Sequence, residues 1–473
     1  LLENVLDEVN ISFNDIPLND KKALDIFTNV MTEGIFQFEY NGMKEFLKKL
    51  KPTCFDDVVS AIALFRPGPA QNIDSFVKRK HGKEKIEYIH KDLYNILSST
   101  YGIAIYQEQI MQIANIMAGY SYGEADILRR AMSKKKKEVL VNEQEKFVKR
   151  CIEKGYEESI AKEIYELILK FANYCFNKSH SVAYSMIAFK MAYLKAHYPE
   201  SFMSALLTNS IGDEKKTKEY IDECKKMNIN ILKPDINLSE YKYKKENGGI
   251  RFSLATIRNV GTVSCKDIVR EREKGLFTDF FNFVARTYGK SVNRKTLESL
   301  IDADCFSEFN FNHNTFYYNI DQAINYAELA STIDESLIDK PVIIIQEEFD
   351  KKTLSEKEIN VFGFYISNHP VTRYKKMYDN IIDSTELSLY FDQYVNLILV
   401  IDSIKEITTK NNKKMLFMTA SDEYSSVEIV VFSTLYDNLS DIKTKDTIKV
   451  SGKVERRMAK FQLVASDIIK LKE

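Results

Sequence analysis

"NLILVIDSIKEITTKNNKKMLFMTASDEYSSVEIVVF", Asn396 to Phe432, marks a change of period in the chain. Three runs within it, "NLILVIDSIKEI", "KMLFMTASD" and "SVEIVVF", are β-branched or alternate apolar with polar residues, and polar turns divide them. Two similar runs follow, "DTIKVSGKVERR" from Asp446 and "FQLVASDIIKL" from Phe461. Five short strands in one segment suit a small barrel. The OB-fold is the first candidate, with single-stranded nucleic acid as its usual ligand. A β-domain that binds only protein is the alternative.

Upstream the period is helical. From Leu1 to about Ser210, stretches such as "QEQIMQIANIMAGY", "GEADILRRAM" and "AKEIYELILKFANY" carry apolar residues at helical spacing. "RPGP", Arg66 to Pro69, is rigid turn chemistry between helices. "YIDECKKMNINILKPDIN" reads as a helix and a short strand. Short helices are expected around "IRNVG" and "VNRKTLESLIDADCF", and Asn310 to about Leu354 reads as irregular and acidic.

The 473 residues are enough for several domains, each with its own core. With 44% hydrophobic and 29% charged residues the composition is that of a soluble protein, and no run approaches the roughly 18 apolar residues of a membrane span. A cytoplasmic location without membrane contact is expected. Leu1 falls inside a helical pattern with no basic and apolar leader, so the chain reads as a fragment. Six cysteines lie far apart without a C-x-x-C pair, and read as free, buried thiols. The formal net charge of −1 argues against a uniformly basic nucleic-acid binder. Its distribution does not: "LRRAMSKKKK", Leu128 to Lys137, holds six positive charges and no negative one, and "FVKRKHGK", Phe76 to Lys83, is a second basic cluster.

"YCFNKSHSVAYSMIAFKMAYLKAHYP", Tyr174 to Pro199, sets five polar residues before a segment apolar on almost every side. Val182, Met186, Phe189 and Tyr193 recur at helical spacing, Pro199 supplies a stop, and Ser179 or Ser181 is a suitable N-cap. An extended chain before the helix would project Lys178 and His180 together, beside free backbone N–H groups. Such a helix start attracts phosphate. The alternative is a capped core helix with a solvated lysine.

Metal-dependent phosphoryl chemistry needs carboxylates held together. "DAD", Asp302 to Asp304, and "PDIN", Pro234 to Asn237, are the candidates, and neither is persuasive. The first reads as helical, where residues two apart diverge, and the second has asparagine where another carboxylate is needed. No Walker A loop, H-E-x-x-H or G-x-S-x-G occurs. "IRNVG", Ile257 to Gly261, resembles the hairpin of a helix-hairpin-helix element, whose glycine lets backbone N–H groups approach a DNA phosphate. A helix-ending glycine would look the same.

"GIFQFEYNGM", "ALFRPGPA", "RKHG", "TYGIAIYQEQIMQIA", "GEADILRRAMSKKK", "FNKSHSVAY" and "LKAHYPESFMSALL" occur in that order. Together they closely resemble the fingers of the bacterial DNA polymerase III alpha subunit family, and "GFYISNHP", Gly363 to Pro370, and the barrel extend the resemblance over nearly the whole chain. It implies a multidomain α+β protein: a mostly helical, nucleotide-binding fingers domain at 1–235, a helix-hairpin-helix region at 236–310, a connector at 311–384 and a five-stranded OB-fold at 385–473. It implies template-directed DNA synthesis from deoxynucleoside triphosphates by the full-length enzyme. Arg129, Arg130, Lys178 and His180 would hold the triphosphate, with Arg66 near the same site. Asn259 and Gly261 would contact DNA. Gln346 and Phe349, in "QEEFD", would be a candidate sliding-clamp contact. Implied partners are primed template DNA and other replisome subunits.

The family's magnesium-binding aspartates, in P-D-F-D-x-D-type and F-D-x-L-G-L-type motifs, do not occur here. The resemblance implies that the chain begins just after the second, so that it binds without catalysing and Mg²⁺ ligands lie elsewhere in the full-length enzyme. Cys175, Ser133 and Asn259 stand where the family's pattern has glycine. A non-catalytic nucleic-acid-binding protein built from the same modules is the alternative.

Overall fold

The computed structural model describes residues 1–133, 137–172, 175–333, 338–366, 369–408, 413–436, 439, 442–457 and 460–471. The chain folds as two compact units, Leu2–Pro199 and Glu200–Glu473. Among the described residues, no helix is long and apolar enough to cross a membrane.

The first unit is built around the helix Lys178–His197, against which the helices Lys21–Thr28 and Phe55–Leu64 pack. Its sequence is apolar nearly all round because it is surrounded. Phe189 stacks on Phe27 at 6.1 Å and meets Phe55 edge-on at 5.7 Å. Two of the polar side chains that enter this core are satisfied by backbone carbonyls, whereas the buried Ser185 Oγ has no hydrogen-bond partner among the described residues. Ser181 Oγ donates to Val59 O at 2.6 Å, and Lys195 Nζ, fully buried, donates to Met31 O and Glu33 O at 2.8 and 2.9 Å. A second group of helices, Gln107–Ala118, Tyr122–Ser133, Lys137–Glu153 and Glu158–Ala172, closes over Tyr120, Phe147 and Tyr165.

In the second unit the helices Pro199–Asn209 and Glu214–Lys226 precede a three-stranded sheet of order β1-β3-β2: β1 Ile231–Leu232, β2 Lys244–Glu246 and β3 Gly249–Arg251. Short helices follow, including Thr262–Glu273, Phe280–Thr287 and Arg294–Asp302, around a phenylalanine cluster of Phe277, Phe280, Phe283, Phe306 and Phe316. The irregular segment expected from Asn310 is instead partly helical. Asn312 Oδ1 caps Thr315 N–H at 2.8 Å, and the helices His313–Tyr318 and Ile320–Ala330 bury Phe316, Ile320, Ala323 and Tyr326.

The five expected strands form β4 Tyr394–Thr408, β5 Lys414–Ser421, β6 Ser426–Val431, β7 Thr447–Arg457 and β8 Lys460–Lys470. They close as β4-β5-β6-β8-β7, antiparallel except for β6 with β8. Alternate residues such as Leu397, Leu399 and Ile401 on β4, and Ile448 and Val450 on β7, fill the interior. β7 pairs with β8 through a register shift at Ser451/Gly452. A Cβ at Gly452 would lie 2.4 Å from Val464 O, so only glycine allows this approach. Of the cysteines, four are buried, Cys175 is half-buried and Cys54, against expectation, is exposed.

Candidate functional site

In the first unit, residues 105–107 and 175–177 run side by side. Phe176 N–H donates to Ile105 O and Gln107 N–H to Phe176 O, both at 2.9 Å, pairing Tyr106 with Phe176 in a parallel bridge. Each segment then enters a helix, Gln107–Ala118 or Lys178–His197. Two helix starts therefore lie together, each with the positive end of its dipole.

The local geometry at Lys178 differs from the sequence expectation. The N-cap is Asn177, whose Oδ1 accepts the His180 N–H at 2.8 Å, so neither Ser179 nor Ser181 caps and both Lys178 and His180 lie in the first helical turn. On a helix, residues two apart diverge by roughly 200°. Lys178 Nζ accordingly lies over the Tyr106 ring, 5.4 Å from its centroid. The His180 ring stacks on Tyr184 at 4.2 Å and meets Phe176 edge-on at 5.3 Å.

Other elements bring further cations to the same place. Arg66, in the turn after Phe55–Leu64, sets its guanidinium 4.4 Å from the Phe176 ring centroid. Arg129 donates through Nη1 to Gln107 Oε1 at 3.2 Å and through Nε and Nη2 to Asp126 Oδ1 at 3.0 and 2.7 Å. Arg130 binds the other Asp126 oxygen at 2.7 Å, with its side chain 68% exposed. The Arg129 hydrogen bond, with both arginine charges, holds the Asp126 carboxyl below its usual range. Thus Arg66, Arg129, Lys178 and His180 converge on Tyr106, Gln107 and Phe176, and Arg130 joins them through Asp126. Arg66 and Lys178 rest on aromatic faces. A ring face orients a cation, contributing about 0.5–1 kcal/mol at an exposed site, without neutralising its charge.

Sequence reading missed Glu108. Its carboxylate accepts the Lys178 backbone N–H at 2.9 and 3.1 Å, covering the place where an anion would meet this helix start. Seventy positions separate the two residues in the chain, so local pattern holds no signal of the contact.

The basic clusters divide by role. Lys134, Lys135 and Lys136 lie outside the described residues. In "RKHG", Lys80 is buried against Asp57 at 2.6 Å and Arg79 pairs with Glu84 at 2.7 Å, so both are structural. The Asp57 carboxyl is held below its usual range although burial opposes it, because Lys80 and Thr53 both donate to it.

In the second unit, Asn259 has the left-handed backbone (φ +64°) and bonds Ser299 through Nδ2 at 3.0 Å. Gly261 caps the helix Thr262–Glu273 with an ordinary φ of −73°, and its Cα faces open space. Arg258 is bound by Glu214 through two 2.6 Å bonds. On the barrel, Arg457 lies over Phe417 at 5.5 Å and Arg456 over Phe461 at 6.0 Å, an arrangement able to stack bases beside phosphates. Gln346 is tied through its backbone to Thr315 and Asn312, and Phe349 packs edge-on against Tyr317 at 5.8 Å. The exposed apolar residues of this segment are Val342, Ile344 and Ile345.

Asp302 and Asp304 do not fit a magnesium centre. Asp302 accepts from Tyr317 and Lys357 at 2.8 and 3.0 Å, and Asp304, in a left-handed turn, accepts from Lys233 at 2.7 Å. Among the described residues, no group of three or more His, Cys, Asp or Glu is placed to hold a metal ion.

Comparison with known proteins gives matches along the chain. Residues 1–155 match the bacterial DNA polymerase III alpha subunit finger domain, 228–316 a helix-hairpin-helix motif, and 398–471 an OB-fold nucleic acid binding domain. DNA polymerase III subunit alpha of Bacillus subtilis (strain 168) is 42% identical over 471 residues, covering 97% of this chain and 42% of the relative. The same subunit of Staphylococcus epidermidis (strain RP62A) is 42% identical over 98% of this chain and 44% of its own length, and that of Staphylococcus aureus (strain Mu50) is 41% identical over 97% and 44%. The chain thus spans somewhat under half the length of the curated relatives it matches.

Proposed function

Because this chain carries the finger domain of the bacterial DNA polymerase III alpha subunit and is related to that subunit along nearly its whole length, we propose that it is the fingers-to-barrel portion of a replicative DNA polymerase. The full-length enzyme joins deoxynucleoside triphosphates on a primed template in the cytoplasm. This portion grips the incoming triphosphate through Arg66, Arg129, Arg130, Lys178 and His180. The observation that carries the reading is that Arg66 and Lys178 lie on aromatic faces at two adjoining helix starts, neither in an ion pair among the described residues. A triphosphate is highly anionic and its leaving pyrophosphate gains charge in the transition state, so fixed cations there lower the barrier as well as bind. Magnesium chemistry belongs to carboxylates other than Asp302 and Asp304. Asn259 and Gly261 of the hairpin and the aromatic-cation face of the barrel hold the DNA. The segment containing Gln346 and Phe349 meets the sliding clamp among the replisome partners.

The test is primer extension with magnesium and all four nucleotides, by the full-length protein and by this chain alone. Extension by the full-length protein only is the expected result. Extension by this chain alone would return Asp302 and Asp304 to consideration. A peptide covering Gln346 to Asp350 that fails to compete for the clamp would remove that assignment.

A further inference from the structure

In the second unit, a groove of about 900 Å³ runs between the helix Lys351–Phe362, the short helix Pro370–Lys375 and the barrel. Its lining includes Lys351 and Lys352 from the first helix, Arg373 and Lys376 at the second, and Lys445 and Lys470 from the barrel. Glu356 and Asp446 are its acidic residues, so six cations against two carboxylates leave four net positive charges. Asp446 is already engaged, pairing with Lys470 at 2.7 Å. Lys351, Arg373, Lys376 and Lys445 have no carboxylate partner among the described residues. Cations from three separate elements facing one concavity repel each other unless an anion lies between them.

The groove wall also holds a histidine. His369, in the groove wall, accepts the Val371 N–H at Nδ1, so the neutral ring carries its proton on Nε2. That Nε2 is buried and has no hydrogen-bond partner among the described residues. Burial, with the charges of Lys218, Lys225 and Lys375, pushes the imidazole down to about 3 against the pull of Asp422, so the ring is a neutral donor. It lacks an acceptor.

The groove is separate from the aromatic-cation face of the barrel. Thr447, where β7 begins, lines the groove, whereas Arg457, where β7 ends, lies over Phe417. At about 3.3 Å per residue the two ends of the strand are roughly 30 Å apart. A track for single-stranded nucleic acid needs successive exposed ring faces. Here Tyr374 is only 7% exposed and Tyr365 is half-buried. The volume instead falls in the range of pockets that enclose one small ligand, about 300–1,000 Å³. We propose that this groove binds a nucleoside polyphosphate, its phosphates among the cations and its single base against the half-buried ring of Tyr365. The site is additional to the triphosphate grip proposed for the fingers.

The test is calorimetric titration of the full-length protein with ATP, with inorganic pyrophosphate and with a single-stranded oligothymidylate. The Arg373→Glu/Lys445→Glu double variant changes two exposed side chains, and a thermal melt checks its fold; Lys376→Gln serves as a milder second variant. Saturable ATP binding is expected, weakened roughly tenfold or more by the double variant and less by Lys376→Gln. The Arg129→Ala/Arg130→Ala variant should retain it. Three results would overturn the proposal. The first is no saturable ATP binding, or ATP binding equal in the parent and both groove variants. The second is pyrophosphate binding as tightly as ATP, which removes the nucleoside. The third is a loss of oligothymidylate affinity in the double variant without a loss for ATP, which makes the groove a nucleic-acid track.

Discussion

Replacing Glu108 with glutamine should tighten triphosphate binding. The carboxylate sits on the Lys178 N–H at 2.9 Å, so phosphate entering at this helix start comes within roughly 5 Å of a like charge. At that separation two unit charges repel by about 1 kcal/mol in water and about 3 kcal/mol at an effective dielectric constant of about 20. Glu108 is half-exposed, which places the effect near the lower end, about 1–2 kcal/mol. That corresponds to a Kd lower by about fivefold to thirtyfold. Glutamine keeps an oxygen able to accept the N–H, so the helix start should lose less than about 1 kcal/mol of stability, the usual value of a charge at a helix end. The assay is calorimetric titration of a deoxynucleoside triphosphate at low salt, repeated at high salt, where screening should shrink the gain. An unchanged or weaker affinity would refute the reasoning. Glu108 would then be a structural cap and the phosphates would lie elsewhere.

Changing both Arg129 and Arg130 to alanine should weaken triphosphate binding far more than duplex binding in the same titrations; equal losses would reassign both residues to DNA. Lys80→Met leaves the Asp57 carboxylate buried without its cation, and urea unfolding should register a loss of about 3–5 kcal/mol; a loss under about 1 kcal/mol would contradict the buried-pair account. In the parent protein the Asp57 carboxyl is held below its ordinary 3.8, so its stabilising contribution is complete above that pH and is lost as pH falls through the lower folded value. An acid titration of Lys80→Met should therefore show a weaker loss of stability below about pH 4 than the parent. Gly452→Ala should cost the barrel about 2–3 kcal/mol in thermal or urea unfolding, because the new methyl group meets Val464 O; a neutral result would mean that β7 and β8 can separate there without penalty.

Legibility in the sequence followed the range of the interactions. The barrel strands were readable because β-branched residues alternate along each run, and all five lie within a few residues of their expected places. The helix ending at His197 was readable from its period and Pro199. Its start was not. Asn177, Ser179 and Ser181 are all good caps, and the choice is made by the pairing of Phe176 with Tyr106, a contact across seventy positions. Lys178 and His180 were read from their own stretch, and Arg66, Arg129 and Arg130 as phosphate ligands came from family resemblance. Their common support, the rings of Tyr106 and Phe176, depends on how two distant segments meet. The helices after Asn310 escaped because the residues around them are polar and their stabilising contacts are to Phe280 and Phe281.

The bridge between Tyr106 and Phe176 also sets what kinds of change the chain can inherit. Both helices count their residues from it, so an insertion between Tyr106 and Glu108 would turn the rest of that helix by about 100° while leaving Lys178 in place. Positions 105–108 and 175–178 must therefore keep their numbering together, like two words read in one frame. The turn at Gly155, with open space beside it, is under no such rule. Lineages and engineers alike should find length changes tolerated in that turn and refused at those eight positions, whichever amino acids fill them.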